Sequence, residues 1–434
     1  MRFLEVYAQG FFGRGASRNG LDLAEYICST KDEVKQVANI DYCKSKSNVG
    51  SFKLPQNFEE FSFSKDVTKL ESAVDLADTI IFITVPTKNE ENLDAVYHVA
   101  DYAKKMGKQT VYFQFHHTAS GLRSAFYTLP RYAAFMSKID LVVTYSLFGG
   151  LHELAQRYDL KINRCLTRKN GLVNLFGLDF DSLRERYWQP SYAKLYRSLK
   201  FLGTSLKMKG YTIVRDLHWN YLKDNGYITT IEGIETAVYT LEDLFKEIKP
   251  KKIERDDVRA INHDKEALKL FKEGKLKFER NMPAYILPPF SNDDGLYRMA
   301  HSQFGTEMIN MTDPEYEQDT FENVMLETIA VGAIPVFRKS WAENFKLRFG
   351  KESLINYSPE EIGTILLDEK SPEEGISLMN RLSDDLKAYD EFRENAYRFY
   401  SEHFSSKAIY PTLIAKIKEA LTKPPADDFD ISNL

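Results

Sequence analysis

Residues 319–348 combine carboxylates, a glycine turn and basic side chains at a spacing that suits a nucleotide-sugar site. The pattern predicts a helix, a tight turn at Gly332 and a short apolar strand. Glu327 lies just before this turn, where its carboxylate can hold a ribose diol while the start of the helix faces a diphosphate. Either Glu322 or Asp319 would lie by the sugar or phosphate, or would cap the helix. The segment favours a glycosyltransferase.

A first glycine-rich loop, residues 10–18, directly follows the first predicted strand. Its glycines are spaced GxxGxG, which differs from the GxGxxG spacing of the dinucleotide fingerprint. Gly13 and Gly15 can bring backbone amides close to a phosphate or a reacting sugar. A plain strand–helix turn is the alternative interpretation.

A second loop, residues 201–210, also follows a strand and opens a helix. Lys207 and Lys209 lie in it, three and five residues after Thr204. A lysine at such a turn can neutralise the charge that develops on a departing diphosphate. A solvated lysine beside a turn glycine remains the alternative.

His116 and His117 end another predicted strand and are the only adjacent pair among the eight histidines. Neighbouring side chains on a strand point in opposite directions, so only one of the two is expected to face the cleft in which the ligand would bind. It would act as a polar group beside the sugar, or be a buried histidine with satisfied hydrogen bonds. Partners at ligand spacing for zinc are missing, so no metal site is expected.

The bulk composition indicates a globular chain of two domains. A chain of 434 residues suits two domains of about 150–200 residues each. A net charge of −5 excludes a global cationic field, so a nucleic-acid partner would need a local basic face. Three scattered cysteines fit neither a disulfide framework nor a metal knuckle and indicate a reducing cytosol. No stretch is apolar enough to predict a membrane span.

Apolar runs of strand length alternate with helical patterns, which predicts α/β layers with parallel sheets. Strands are expected at residues 2–8, 79–85, 110–115 and 141–146 in the first half. Residues 164–171 are polar and basic and predict a crossing between domains. A second α/β half follows, with strands at 198–202 and 227–231 and a helix at 211–223. Helices are expected at 360–368 and 371–404, and a charged surface helix or insertion at 249–272.

Several motifs together resemble the DNA α-glucosyltransferases of T-even bacteriophages. These are the GxxGxG loop of residues 10–18, the helix–strand stretch 216–235, and above all residues 332–348. The resemblance implies a GT-B fold with two Rossmann-like parallel-sheet domains facing a cleft. The implied division is an acceptor domain at 1–170, a UDP-sugar domain at 171–385, helices at 386–422 near the domain junction and a flexible tail at 423–434.

By this resemblance the protein is a retaining enzyme that moves glucose from UDP-glucose to 5-hydroxymethylcytosine in duplex DNA. Base flipping brings the hydroxymethyl group into the cleft. No cofactor is required, and the enzyme acts as a monomer in the cytoplasm of the infected host, where the modification shields phage DNA from nucleases. The implied site comprises His116, His117 and Gly15 for catalysis; Gly13, Gly15, Thr204, Lys207, Lys209, Glu322 and Glu327 for the donor; and Arg14, Arg18, Arg123, Lys346 and Arg348 for DNA.

The chain departs from the family pattern at two places. Thr204 stands where the family has an arginine, with Lys207 as a replacement charge that lacks the guanidinium fork. Phe115, His116 and His117 stand where the family has a His-Asp-His run. These changes leave open transfer of a pentose from UDP-arabinose and a catalytically inactive DNA-binding relative. Glycosylation of a polysaccharide or lipid carrier is a further alternative.

Overall fold

Two seven-stranded parallel sheets form the framework of the protein. The computed structural model describes residues 1–8, 10, 16–41, 57–84, 91–114, 130–144, 164–166, 174–203, 210–233, 258–261, 264–280, 284–288, 291–308, 321–345, 353–368 and 370–423. Within them the expected α/β architecture is confirmed.

The first sheet has the strand order β3-β2-β1-β4-β5-β6-β7. Its strands are β1 (Arg2–Tyr7), β2 (Glu33–Asn39), β3 (Phe58–Phe61), β4 (Thr79–Thr84), β5 (Gln109–Gln114), β6 (Leu141–Thr144) and β7 (Cys165–Leu166). The helices of this half are α1 (Ala16–Cys28), α2 (Val67–Asp75), α3 (Glu91–Lys105) and α4 (Pro130–Met136). Every neighbouring pair of strands is parallel. Helices on both faces explain why the central strands are apolar on both sides.

The second sheet has the order β10-β11-β9-β8-β12-β13-β14, again parallel throughout. Its strands are β8 (Leu195–Gly203), β9 (Ile228–Gly233), β10 (Val258–Ala260), β11 (Ala284–Leu287), β12 (Ser302–Thr306), β13 (Ile334–Arg338) and β14 (Ile365–Leu367). The helices are α5 (Phe180–Tyr187), α6 (Tyr211–Leu217), α7 (Lys265–Lys272), α8 (Asn292–Ala300), α9 (Asn323–Ala330), α10 (Lys339–Asn344), α11 (Pro359–Ile362), α12 (Glu373–Asp384), α13 (Leu386–Phe404) and α14 (Ser406–Thr422).

The last helix returns to the first sheet. Ser405 caps α14 by accepting a hydrogen bond from the Ala408 amide, which starts a new helix directly after α13. Near the other end of α14, the Leu421 carbonyl accepts a hydrogen bond from Gln109 of β5 at 3.1 Å, and Lys418 pairs with Asp32. The C-terminal helix thus ties the two ends of the chain together.

Alternation along β1 divides the hydrophobic core. Leu4 and Val6 belong to a cluster beneath the outer helices α2, α3 and α4. Phe3 and Tyr7 point to the opposite face, in a cluster that continues through α1, α5, α9, α13 and α14 into the second sheet. Because this cluster includes both halves, each domain covers part of the other's apolar surface.

Several predicted elements differ in detail from those observed. The segment predicted as a domain crossing contains β7, the edge strand of the first sheet. The helix predicted at 360–368 is a single turn, α11, followed by β14, because Gly363 adopts a left-handed φ of 55°. The helix predicted at 371–404 is two helices, separated at Asp385, which caps α13. The helix predicted at 211–223 is α6 followed by the π-helical turn His218–Leu222. The domain boundaries stay a prediction.

A buried carboxyl group lies within the first sheet. Glu5 accepts hydrogen bonds from the Tyr7 hydroxyl and the Gln36 amide, both at 2.9 Å. Burial raises the pKa of Glu5 to about 8, although these two hydrogen bonds lower it. The folded state therefore holds Glu5 protonated at neutral pH, whereas the unfolded chain ionises it.

This difference predicts a pH-dependent loss of stability. The contribution of Glu5 to the free energy of unfolding is complete below the unfolded-state pKa of 4.5. It is lost as pH rises toward the folded-state pKa of about 8. Glu5→Gln keeps a neutral group, so its stability relative to the parent should rise by on the order of 3 kcal/mol between pH 5 and pH 7.5. Urea unfolding at both pH values measures this change. Exposed Glu60→Gln on β3 is the control, and a Glu5→Gln curve parallel to the parent curve would contradict the assignment.

Candidate active site

Helices α1 and α9 meet across the domain junction through a buried ion pair. Arg18 Nη1 donates to Glu327 Oε1 at 2.7 Å, and the two side chains are 11% and 8% exposed. One turn toward the start of α9, Asn323 donates to Asn19 of α1 at 2.9 Å. The i,i+4 spacing of Asn323 and Glu327 places both on the side of α9 that faces α1. The first domain therefore directly contacts Glu327, the residue predicted to bind the ribose.

A second carboxylate completes this cluster. Asp22 lies one turn after Arg18 on α1, with its Oδ2 atom 3.9 Å from Arg18 Nε. Burial raises the pKa of Asp22 to about 7, with Arg18 lowering it and the carboxylates of Glu25 and Glu327 raising it. One guanidinium therefore lies against two carboxyl groups that are largely shielded from water.

The same balance acts on the ion pair itself. Burial raises the pKa of Glu327, and the charge of Arg18 opposes this increase. Burial disfavours the charged guanidinium, but Glu327 and Asp22 outweigh that effect and raise the pKa of Arg18. Arg18 thus favours the ionised form of Glu327, the form that accepts hydrogen bonds from hydroxyl groups.

Aromatic side chains fix the start of α9. Phe321, immediately before the N-cap residue Glu322, is 1% exposed. Its ring centroid lies 4.7–5.9 Å from those of Phe337, Trp341, Phe345, Tyr400 and Phe404. This residue anchors the helix in the way that a hydrophobic residue before the N-cap often does.

The turn after α9 is equally constrained. Gly332 has a φ of 80°, and a β-carbon there would lie 2.7 Å from the Trp188 ring. Trp188 itself lies between the guanidinium groups of Arg184 and Arg393, at 4.2 and 4.6 Å from the ring centroid. The predicted glycine turn and the following strand β13 are confirmed, and glycine is required by both the backbone and the neighbouring ring.

Among the predicted site residues, the structure describes three. Glu327 lies on α9 facing α1, and Arg18, predicted for DNA, lies in the same contact with its charge directed at carboxylates. Glu322 is the half-buried N-cap residue of α9, and its side chain makes no capping hydrogen bond. The remaining ones lie outside the described residues: Gly13, Arg14, Gly15, His116, His117, Arg123, Thr204, Lys207, Lys209, Lys346 and Arg348.

Sequence reasoning missed the partners of Glu327. The i,i+4 spacing of Arg18 and Asp22 indicates a pair on one helix face. The contacts of Arg18 with Glu327 and of Asn19 with Asn323 have no such signal, because 309 and 304 residues separate the partners.

Two parallel α/β sheets that share one core, with the carboxylate of Glu327 at their junction, are typical of a GT-B glycosyltransferase. The family model described as DNA alpha-glucosyltransferase matches residues 63–387, and the chain belongs to this family. The DNA alpha-glucosyltransferase of Enterobacteria phage T4 is 27% identical over 429 residues, covering 94% of this chain and 97% of that protein.

Solved structures agree with this assignment. An alpha-glucosyltransferase in complex with UDP-glucose and abasic DNA superimposes with a TM-score of 0.80, at 24% identity, covering 96% of this chain and 99% of the other. The Anabaena protein HepE, in complex with UDP-glucose, has a TM-score of 0.56 at 14% identity, covering 96% of this chain and all of its own. Both similarities show a shared fold.

The part of the chain that is described shows neither a cluster of metal-ligand side chains nor a membrane-spanning helix. Its histidines, cysteines and acids form no group of three that could hold a metal ion. None of its helices is both long and apolar enough to cross a bilayer.

The buried ion pair predicts a large stability effect. Arg18→Met leaves the Glu327 carboxylate buried without its partner and should lower the free energy of unfolding by about 3 kcal/mol. Adding Glu327→Leu removes the stranded charge and should restore most of that loss. Urea unfolding of the single and double variants measures both effects.

Lys418→Met is the matched control, because it removes a more exposed pair with Asp32 that also links distant parts of the chain. A partly exposed pair is worth about 1 kcal/mol or less. If Arg18→Met cost no more than this control, the α1–α9 ion pair would not hold the domains together.

Proposed function

We propose that this protein transfers glucose from UDP-glucose to 5-hydroxymethylcytosine in duplex DNA. The observation that carries this proposal is the match to the phage T4 DNA alpha-glucosyltransferase along nearly the whole of both chains. Because the match includes both sheets and the junction between them, it supports the whole reaction rather than donor binding alone.

Glucose is favoured over arabinose as the sugar. The family is named for glucosyl transfer, and the similar solved structure contains UDP-glucose. A related alpha-glucosyltransferase was solved with UDP and a 13-mer DNA containing a HMU base. These ligands support a hydroxymethylated pyrimidine as the acceptor, and the resemblance of the motifs supports cytosine as its base.

Glu327 is proposed to hold the ribose of the donor. Its Oε1 atom accepts from Arg18, while its Oε2 atom makes no hydrogen bond to any residue of the described chain. An ionised carboxylate with one oxygen fixed and the other available suits a vicinal diol. Glu322, at the start of the same helix, is proposed to lie by the sugar or phosphate.

The reaction is proposed to proceed with retention on one face of the sugar. The hydroxymethyl oxygen forms a bond to C1 of glucose as the bond from C1 to the diphosphate oxygen breaks, and the acceptor proton passes to the departing phosphate. Lys207 and Lys209 would compensate the charge that develops on this phosphate. Gly13, Gly15, His116 and His117 would surround the sugar.

The target base is proposed to leave the DNA stack, because its hydroxymethyl group must reach C1 of the donor between the two domains. Residues 1–170 would bind the acceptor and 171–385 the donor, with Arg14, Arg123, Lys346 and Arg348 on the DNA path. The biological setting would be the cytoplasm of an infected bacterium, where a monomeric enzyme protects phage DNA from host nucleases.

Mass spectrometry of nucleosides tests the reaction. Duplex DNA containing 5-hydroxymethylcytosine is incubated with UDP-glucose or UDP-arabinose and then digested, with unmodified DNA as the control. The expected product is glucosylated hydroxymethylcytosine from UDP-glucose alone. A pentosylated nucleoside would show that the enzyme transfers arabinose from UDP-arabinose and would contradict glucose as the sugar. DNA binding without sugar transfer from either donor would identify a catalytically inactive relative and would refute the proposed transferase activity.

The ribose contact predicts weaker donor binding when Glu327 loses its charge. Glu327→Gln should reduce UDP affinity tenfold or more, because a hydrogen bond to a charged group contributes about 1.5–3 kcal/mol. Isothermal titration calorimetry with UDP measures the change. Exposed Glu361→Gln, at the start of α11, is the matched control. Equal affinity for UDP in the two variants would remove Glu327 from the ribose.

The proposed DNA path predicts a change in salt dependence. Removing one cation that binds a DNA phosphate reduces the slope of log affinity against log salt by about 0.9. Lys346→Ala combined with Arg348→Ala should therefore flatten this slope by about 1.8 in a DNA-binding titration. Exposed Lys31→Ala with Lys272→Ala removes the same total charge elsewhere. An identical slope for both double variants would place Lys346 and Arg348 off the DNA.

A further inference from the structure

A cavity lies on the face of the second sheet, between helices α7 and α8. Its volume is about 860 Å³, within the usual range for small-molecule sites. Strands β8, β9 and β11 form its floor, and neither Glu322 nor Glu327 lines it. Donor binding and DNA binding, as proposed above, leave this cavity unused.

A buried lysine lines the cavity. Lys194 is only 7% exposed, and its Nζ donates to the carbonyl oxygens of Ala300 at 2.5 Å and Ser302 at 3.2 Å. No carboxylate in the described chain lies within ion-pair distance of this nitrogen. An anion bound in the cavity would supply the ion-pair partner that an ammonium at this position needs.

The nearby acids are already engaged. Glu232 accepts hydrogen bonds from buried Lys200 and from Arg298. Asp294 accepts from Ser291 in the capping box at the start of α8. Neither carboxylate is available to Lys194, and the two carbonyls leave its third N–H unused. Burial lowers the pKa of the Lys194 amine, as does the charge of Arg393, whereas the charge of Asp390 raises it, and a bound anion would likewise favour the ammonium form.

The walls of the cavity are aromatic. Phe271 and Phe278 line it from α7 and the segment that follows. On the opposite side, Tyr297 is 56% exposed and lies with its ring centroid 4.2 Å from that of His301. An exposed tyrosine beside a deep cavity is a surface on which a planar ring can stack.

We propose that the cavity between α7 and α8 binds a small aromatic anion, with the anionic group paired to Lys194 and the ring held among Phe271, Phe278 and Tyr297. The anionic group is a phosphate or a carboxylate, since a primary ammonium pairs with either. Because the described residues proposed for the donor, Glu322 and Glu327, do not line this cavity, we expect the ligand to bind together with UDP.

Calorimetry on the full-length protein saturated with UDP tests the proposal, because UDP occupies the donor site. The probes are UMP, which carries a phosphate, and benzoate, which carries a carboxylate. Uridine, which lacks the anionic group, and inorganic phosphate, which lacks the ring, serve as half-ligands. We expect at least one aromatic anion to bind, and both half-ligands to bind at least tenfold more weakly. The probe that binds identifies the anionic group.

Two variants connect binding to the cavity. Lys194→Met should weaken binding of the probe at least tenfold, and Lys269→Met, an exposed lysine on α7 outside the cavity, should leave it unchanged. Tyr297→Ser removes an exposed ring without opening the core and should weaken binding at least threefold, so it serves even if Lys194→Met does not fold. Absence of binding by UMP and benzoate, or unchanged affinity in Tyr297→Ser and in folded Lys194→Met, would overturn the proposal.

Discussion

The buried contact between α1 and α9 is the constraint on which the junction of the two domains depends. Arg18 and Glu327 are both nearly inaccessible to water, and each would be costly to bury alone. The hydrogen bond between Asn19 and Asn323 aligns the same two helices one turn away. Because the pair compensates its charges only when the helices meet in this register, it specifies how the domains face each other.

Burial raises the pKa of two carboxyl groups of the protein, but the neighbours of the two groups differ. Glu5 has only neutral hydrogen-bond donors around it, so burial dominates and favours its protonated form. Glu327 is also buried, but a guanidinium lies against it and favours ionisation. A ribose hydroxyl needs an acceptor, so the proposed role of Glu327 requires Arg18. The interaction that joins the domains thus also prepares the carboxylate for its ligand.

The rigidity of α9 comes from its two ends rather than from its own length. Eight residues are too few for a helix to be stable by itself. The aromatic rings around Phe321 hold the first turn, and Trp188 packs against Gly332 after the last one. Both groups of contacts come from helices and connecting segments that also pack across the domain junction. The position of Glu327 therefore depends on packing throughout the central core.

Local patterns in the sequence determined the class of fold and the helix that carries Glu327. Strand-length apolar runs alternating with helical patterns predicted parallel α/β layers, and the turn at Gly332 predicted the strand β13. Some short-range patterns did not decide between a helix and a strand. The apolar residues 365–367 suit either, and the pairing of β14 with β13 makes them an edge strand. The break at Asp385 likewise depends on a capping contact that periodicity does not reveal.

What only the tertiary structure decided is which distant residues meet. The sequence predicted that Glu327 binds the donor and that Arg18 binds DNA, so it assigned them to different partners. The fold brings them together across 309 residues. The pairing of Lys194 with two carbonyls, and its lack of a carboxylate, is equally invisible in a linear pattern. Residue types determine which charges a chain carries, whereas packing determines which of them lose water and which partner each one finds.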